Sequence, residues 1–134
     1  MTVTRAETYP LVVEPDIVVA RREAKTWAAL LGFGLVDQTK LVTACSELAR
    51  NTIVYGGGGT MTLEAVEVPP RKGLRMIFAD DGPGIADLDL ALTDGYTTGG
   101  GMGLGLTGAR RLCNEFDIVT APGAGTKVTV ARWK

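Results

Sequence analysis

Hydrophobic positions in the first half of the chain recur at helical spacing and predict two helices. Asp16 stands at the N-cap position of the first helix, which ends at Gly32 or Gly34. The second helix begins near Asp37, its predicted N-cap, and runs to about Val54, where four consecutive glycines interrupt the pattern. The predicted buried stripes are Ile17, Ala20, Ala24, Trp27 and Leu31 in the first helix and Leu41, Ala44, Cys45, Leu48 and Thr52 in the second.

Runs rich in β-branched and apolar residues predict five strands, over residues 9–13, 60–68, 74–79, 117–120 and 126–132. Pro10 indicates that the first strand lies at a sheet edge, because proline donates no hydrogen bond to a neighbouring strand. Two further helices are predicted, a short one over 86–92 and one over 104–114. Helices mixed with strands that tight turns connect predict an α+β fold. We expect a two-layer α/β sandwich, with helices on one face of a mostly antiparallel sheet.

Length and composition restrict the classes of function without selecting one. The 134 residues suit a single domain over residues 1–134, and the net charge of −1 argues against a nucleic-acid partner. No apolar run suits a membrane span and no signal-peptide pattern is present, so we expect a cytoplasmic protein without a membrane partner. The absence of histidine excludes Ser-His and Cys-His nucleophiles and His-ligated zinc. Cys45 and Cys113 lack metal-site spacing and are interpreted as small buried hydrophobic residues.

Glu47 and Asn51 form the first of three clusters with chemical potential. They are four residues apart in the second predicted helix and therefore share one of its faces, beside the apolar stripe. A carboxylate in that place can act as a general base, and an amide oxygen is a ligand that suits Mg²⁺. An ordinary surface pair beside a buried stripe is the alternative.

The second cluster, DDGPGI at residues 80–85, directly follows an apolar strand. A buried carboxylate only accepts hydrogen bonds, so Asp80 is suited to the exocyclic amino group of adenine and not to the carbonyl of guanine. Gly82 and Gly84 would let the backbone approach the plane of a base. A tight turn without any ligand explains the same residues.

The third cluster is the glycine-rich stretch TTGGGMGLG at residues 97–105. Backbone N–H groups without side chains, followed by a helix N-terminus, form a concavity that suits phosphate. A flexible linker is the alternative. The stretch is not a dinucleotide-binding fingerprint, because no strand directly precedes it, and it is not a Walker motif, because no lysine occurs between Lys72 and Lys127.

The order of these clusters along the chain resembles the Bergerat-fold ATPases, the GHKL superfamily. The boxes of that superfamily match Glu47…Asn51, Asp80…Gly84, Gly101…Gly105 and Gly123…Thr126, so the resemblance covers residues 9–133. The segments ELARNTIVYGGGG, DDGPGI and DGYTTGGGMGLGL and the ending GTKVTVARWK are similar to the small bacterial switch serine/threonine kinases of the stressosome (RsbT-type). Anti-sigma-factor kinases are close to this group.

The resemblance implies a serine/threonine-protein kinase with ATP and Mg²⁺ as cofactors. Glu47 would be the catalytic base, Asn51 would hold the metal, and Asp80 would read adenine. The implied nucleotide-binding residues are Asn51, Asp80, Gly82, Gly84, Ile85, Thr98, Gly99, Gly100, Gly101, Met102, Gly103, Leu104, Gly105 and Thr126.

The resemblance also implies the partners. The substrate would be a STAS-domain antagonist or scaffold protein, and the released kinase would activate a PP2C-type phosphatase, as a partner switch in a bacterial stress-signalling pathway. A homodimer is compatible with the resemblance. An anti-sigma factor with serine kinase activity shares every box, and a non-catalytic nucleotide-gated binding module is the alternative from another class.

One departure concerns the charge near the phosphates. Related anti-sigma-factor kinases carry an arginine or lysine just before the second glycine box, where this chain has Thr97-Thr98-Gly99-Gly100. Charge neutralisation would therefore come mainly from Mg²⁺, backbone N–H groups and the helix terminus. Slow turnover is expected, because phosphoryl transfer depends on positioning and charge stabilisation.

Overall fold

A computed structural model describes residues 1–85 and 102–134 of the chain. The strands β1 to β5 form one sheet in the order β1-β2-β3-β5-β4, and every neighbouring pair is antiparallel. The elements in chain order are β1 (Thr2–Leu11), α1 (Pro15–Leu30), α2 (Leu35–Arg50), a π-helical turn (Asn51–Tyr55), β2 (Gly59–Val68), β3 (Arg71–Asp80), α3 (Met102–Leu112), β4 (Glu115–Thr120) and β5 (Thr126–Trp133).

The hydrophobic core lies between the helices and one face of the sheet. Alternate residues of the central strands point into it, because successive side chains of a strand face opposite sides. Burial of each large apolar side chain contributes about 1.5–3 kcal/mol of transfer free energy. The strands supply Met61, Leu63, Leu74, Met76, Phe78, Val128 and Val130, and the helices supply Ile17, Ala20, Ala24, Trp27, Leu41, Ala44, Cys45 and Leu48. This packing confirms the predicted α+β sandwich and its two helical stripes, apart from Leu31, which follows α1 and is only partly buried.

The first strand is much longer than predicted. β1 begins at Thr2 rather than at residue 9, and it pairs with β2 along almost its whole length. Residues 2–8 are exposed and mostly polar, so their sequence has no apolar alternation from which a strand could be recognised. Pairing with β2, about sixty residues away along the chain, decides their conformation.

Both predicted N-cap residues are wrong. Glu14 is the N-cap of α1, while Asp16 lies in its first turn and accepts backbone N–H bonds from Val12 and Val13 at 2.9 and 3.1 Å. These two bonds hold the pKa of Asp16 below its usual range. Gly34 is the N-cap of α2, and Asp37 lies inside the first turn, where it pairs with Arg132 instead. Each carboxylate therefore binds a partner outside its own helix.

The remaining differences are small shifts of element ends. β3 extends from Arg71 to Asp80, and α3 occupies Met102–Leu112 where 104–114 was predicted. Cys113 consequently follows α3 and is only partly buried, whereas Cys45 is fully buried as predicted. Burial raises the pKa of the Cys45 thiol to about 12 and that of Cys113 to about 11. The predicted helix over 86–92 lies outside the described residues, and none of the described helices is long and apolar enough to cross a membrane.

Candidate functional site

The C-terminal end of α2 continues into a π-helical turn. Such turns are rare in proteins, and those that occur are often found at functional sites. Gly56 donates its N–H to the carbonyl of Asn51 at 3.0 Å, and Gly57 and Gly58 then reverse the chain with φ of +76° and +108°. Glu47 is exposed and Asn51 is half-buried, one helical turn further on. Within residues 1–85 and 102–134, neither of these two side chains forms a hydrogen bond or an ion pair. Both polar groups are therefore available to a ligand or substrate at this end of the helix.

Asp80 ends β3 beside this turn, and its carboxylate lies directly against glycine backbone. Its Oδ1 atom accepts the N–H of Gly82 at 2.9 Å. Its Oδ2 atom lies against Gly56, where a Cβ atom would overlap the carboxylate. No described residue donates a hydrogen bond to Oδ2. One oxygen of Asp80 is thus held by the protein, while the other remains an acceptor for a donor group from outside.

Glycines also surround the backbone of Asp80. A Cβ atom on Gly82 would lie 2.6 Å from the carbonyl oxygen of Gly56, and one on Gly125 would overlap the carbonyl of Asp80. A Cβ atom on Gly59 would lie 3.0 Å from the Cα atom of Asp80. Glycines from three segments therefore pack against the backbone of Asp80 and Gly56 at distances that no side chain would allow.

The DDGPGI turn is joined to the turn between β4 and β5. Gly123 donates its N–H to the carbonyl of Pro83 at 2.6 Å, and a Cβ atom on Gly84 would overlap the carbonyl of Ala121. The N–H of Ile85 donates to the hydroxyl of Thr120 at 2.9 Å. The two turns form one unit at the end of the sheet, although they are almost forty residues apart in the chain.

Thr126 lies directly opposite Asp80 in the register of β3 and β5. Its hydroxyl is 2.9 Å from that of Thr120, which also lies 3.1 Å from the carbonyl of Gly125. The structure thus brings together five of the residues that the sequence predicted for a nucleotide site, namely Asp80, Gly82, Gly84, Ile85 and Thr126.

Three other residues of this unit were missed by the sequence analysis. Gly56 belongs to a glycine run that was interpreted only as a helix stop, and Gly125 lies within the box Gly123…Thr126 but was given no role of its own. Their absence of side chains was a visible signal, but the group that each one contacts was not visible. Thr120 had no signal at all, because its role depends on the pairing of β4 with β5.

The other predicted site residues belong to the glycine-rich stretch. Met102, Gly103, Leu104 and Gly105 form the first turn of α3, and the N–H groups at the start of a helix have no acceptor within the helix and carry a partial positive charge. Thr98, Gly99, Gly100 and Gly101 lie outside the described residues.

The arrangement fits an adenine nucleotide with a divalent cation. The Asp80 oxygen that is unpaired among the described residues suits an exocyclic amino group, because a carboxylate accepts hydrogen bonds. The amide oxygen of Asn51 is a hard donor of the kind that Mg²⁺ prefers, and the first turn of α3 suits phosphate.

Comparisons with known proteins agree with this geometry. The profile of the histidine kinase-, DNA gyrase B- and HSP90-like ATPases matches residues 36–134. The serine/threonine-protein kinase RsbT of Bacillus subtilis is 44% identical over 123 residues, which are 92% of this chain and 92% of that protein. The anti-sigma F factor of Shouchella clausii is 31% identical over 120 residues, with 84% of this chain and 81% of that protein covered.

Two solved structures share the fold. The RsbU and RsbW domains of Rv1364c from Mycobacterium tuberculosis superpose with a TM-score of 0.61 at 18% identity, over 96% of this chain and 32% of that one. The SiaB-SiaC complex from Pseudomonas aeruginosa gives a TM-score of 0.53 at 10% identity, over 98% of this chain and 91% of that one. At these identities, the two likenesses concern the fold alone.

The family profile covers well over half of the chain, and the Bacillus kinase is similar along nearly all of it. Both findings confirm the family that the order of the sequence motifs predicted. The chain therefore belongs to the histidine kinase-, DNA gyrase B- and HSP90-like ATPase family, in the group that includes the serine/threonine-protein kinase RsbT.

Proposed function

We propose that this chain is an ATP- and Mg²⁺-dependent serine/threonine-protein kinase whose substrate is a small STAS-domain protein. One observation carries the nucleotide part of this proposal: Asp80 has one oxygen held by Gly82 and the other unpaired among the described residues, and its carboxylate packs against Gly56, where no side chain would fit. The 44% identity with a serine/threonine-protein kinase supports the reaction class.

Asp80 would select adenine by its hydrogen-bonding capacity. Its free oxygen would accept from the exocyclic amino group of adenine, whereas the carbonyl of guanine would face it as a second acceptor. Gly82, Gly84, Ile85 and Thr126 would line the base, because they are held around Asp80 by the two joined turns.

The phosphates would lie between the ends of α2 and α3. Asn51 would hold Mg²⁺ through its amide oxygen, and the bound metal would supply positive charge to the phosphate oxygens. The first turn of α3, from Met102 to Gly105, would offer backbone N–H groups and the positive end of the helix. Residues 98–101 complete this proposed phosphate-binding segment.

Glu47 would accept the proton of the acceptor hydroxyl. As the serine or threonine oxygen forms its bond to the γ-phosphorus, the bond between that phosphorus and the bridging oxygen breaks, ADP is released, and the hydroxyl proton passes to the Glu47 carboxylate. Glu47 is exposed at the end of α2, which suits a hydroxyl presented by another protein.

The proposed partners follow the resemblance to stressosome switch kinases. A STAS-domain antagonist or scaffold protein would be phosphorylated, and a PP2C-type phosphatase would be activated by the released kinase. The 31% identity with an anti-sigma F factor supports a second candidate, an anti-sigma factor with serine kinase activity.

The direct test is incubation of the purified chain with labelled ATP, Mg²⁺ and the STAS-domain proteins encoded beside it. We expect label on a serine or threonine of one STAS protein and none when Mg²⁺ is chelated. ATP binding without transfer to any of them would favour the nucleotide-gated binding module. Retention of an RNA polymerase sigma subunit in a pull-down would favour the anti-sigma factor.

Replacement of Gly56 by alanine tests whether the close packing of Gly56 against the Asp80 carboxylate is needed for nucleotide binding. The methyl group of Gly56→Ala would overlap the Asp80 carboxylate and move it from its present position. We expect the affinity of Gly56→Ala for ATP to decrease roughly 10-fold or more, which corresponds to the loss of one charge-assisted hydrogen bond to the base. Calorimetry measures this affinity. The backbone φ of Gly56 is −80°, which alanine tolerates, so we expect the fold to persist.

Gly34→Ala is the matched control for this substitution. Gly34 has a φ of −70° and open space where its Cβ would lie, so its replacement should leave ATP affinity unchanged. Equal affinity of the Gly56→Ala and wild-type proteins for ATP would contradict the proposed contact of Asp80 with the base.

A further inference from the structure

Arg132 joins three elements at the end of the molecule opposite to the proposed nucleotide site. Its Nη2 atom is 2.8 Å from Oδ1 of Asp37 in the first turn of α2, and its Nε atom donates to the same oxygen at 3.2 Å. Its Nη1 atom donates to the carbonyl of Leu112, the last residue of α3, at 2.8 Å. The Arg132 side chain is only 16% exposed, so water screens these bonds less than it screens those of a surface pair.

The two helices joined in this way are those that would hold the phosphates. α2 carries Glu47 and Asn51 at its other end, and α3 begins with the glycine-rich residues. A helix of this kind is stiff, and the 16 residues of α2 span about 24 Å while the 11 residues of α3 span about 16 Å. A change in the angle between the helices at Arg132 would therefore move their far ends relative to each other.

After its first turn, α3 contributes few apolar side chains to the core. Its three glycines contribute no side chain, and its fully buried apolar side chains after the first turn are Leu106 and Ala109. Leu112 is partly buried against the core. The bond from Arg132 to the last carbonyl of α3 adds a partly buried polar contact at the C-terminal end of this helix. A cation at a helix C-terminus also interacts favourably with the helix dipole.

We propose that Asp37, Arg132 and the Leu112 carbonyl form a positioning latch for the binding of the triphosphate. The latch sets the position of α3 relative to α2, so that the glycine-rich end of α3 meets the phosphates while Asn51 holds the metal. The residues around Asp80 belong to β3, to the segment that follows the π-helical turn and to the turn between β4 and β5, so a shift of α3 relative to α2 should leave them in place. This inference rests on the proposed function, since it concerns the phosphate end of the proposed site.

The test compares two ligands in the full-length protein. Adenosine uses only the base pocket, whereas ATP with Mg²⁺ also needs the phosphate end. Arg132→Met keeps most of the apolar stem of the side chain and removes all its hydrogen bonds. We expect it to weaken ATP binding about 10-fold, because a small misplacement of a binding group has large effects, and to leave adenosine binding within about 2-fold of wild type. Calorimetry for ATP and NMR titration for adenosine measure the two affinities.

Arg75→Met is the matched control. Arg75 is also a partly buried arginine, paired with Glu64 at 2.6 Å, but it joins β2 to β3 and contacts neither α2 nor α3 in the described residues. Its replacement should leave the ratio of the ATP and adenosine affinities unchanged. Asp37→Asn, which keeps an acceptor oxygen and removes the charge, gives a milder variant should Arg132→Met not fold. We expect it to lower the same ratio by a smaller factor.

An unchanged ratio of ATP to adenosine affinity in the folded Arg132 or Asp37 variant would overturn the latch. An equal decrease of both affinities would do the same, because it would indicate a purely structural role. If the wild-type protein binds neither ligand, the proposed function itself fails and the latch is rejected with it. A loss of ATP binding with adenosine binding retained supports both the proposed function and the latch.

Discussion

Asp80→Asn is expected to lower the affinity for ATP with Mg²⁺ by roughly 10- to 100-fold, the range that corresponds to one lost hydrogen bond to a charged group. The carboxylate has two acceptor oxygens, of which one takes the N–H of Gly82 and the other has no donor within residues 1–85 and 102–134. The amide has one acceptor and one donor group. If its oxygen faces Gly82, its NH₂ group opposes the amino group of adenine. If the oxygen faces adenine, the NH₂ group opposes the N–H of Gly82.

Calorimetry with ATP and with GTP measures this effect. An outward-facing NH₂ group would donate a hydrogen bond to the guanine carbonyl. The ratio of ATP affinity to GTP affinity should therefore decrease as ATP affinity falls. Asp81→Asn is the control, because Asp81 is the exposed neighbour of Asp80 in the same turn. This substitution should leave ATP affinity unchanged. Intact ATP binding by Asp80→Asn would remove the basis of the proposed nucleotide site.

Glu47→Gln is expected to reduce phosphoryl transfer to a STAS-domain protein by about 10²- to 10⁴-fold, the usual contribution of a positioned general base. Glutamine has the size of glutamate but cannot take up the hydroxyl proton. ATP affinity should stay within about 2-fold of wild type, and stability within about 0.5 kcal/mol, because Glu47 is exposed and has no partner among the described residues. Single-turnover transfer of label, with ATP binding measured separately, distinguishes the two effects.

Thr43→Ala provides the control for this substitution. Thr43 is exposed one turn before Glu47 on the same helix, so its replacement changes α2 without touching the proposed base. Transfer by Glu47→Gln at the wild-type rate would show that another group accepts the proton.

Much of the fold followed from local pattern. The apolar stripes of α1 and α2 were predictable because a helix buries every third or fourth residue, and the predicted residues are buried apart from Leu31. The end of β3 at Asp80 was readable because a polar, glycine-rich turn follows an apolar run. The N-terminal half of β1 was not readable, because an exposed strand held by its neighbour needs no apolar alternation.

The candidate site also has features that the sequence predicted and features that it did not. The residue types and their order along the chain pointed to Glu47, Asn51 and Asp80, and through them to the family. The contact of Gly56 with the Asp80 carboxylate was not predictable, because the two residues belong to different elements. The same holds for Asp37 and Arg132, which are 95 residues apart.

By itself, the sequence determined most of the segments that form helices and strands and the family to which the chain belongs, and it supplied the polar groups that are proposed to carry the chemistry. These properties depend on the chemistry of each residue and on spacings of a few positions. The tertiary structure alone decided that one oxygen of Asp80 is held by Gly82, that the other has no donor in the described part of the chain, that Thr120 joins two turns, and that Arg132 ties α2 to α3. Such contacts are made between segments far apart in the chain, and they exist only once strand register and helix packing bring those segments together.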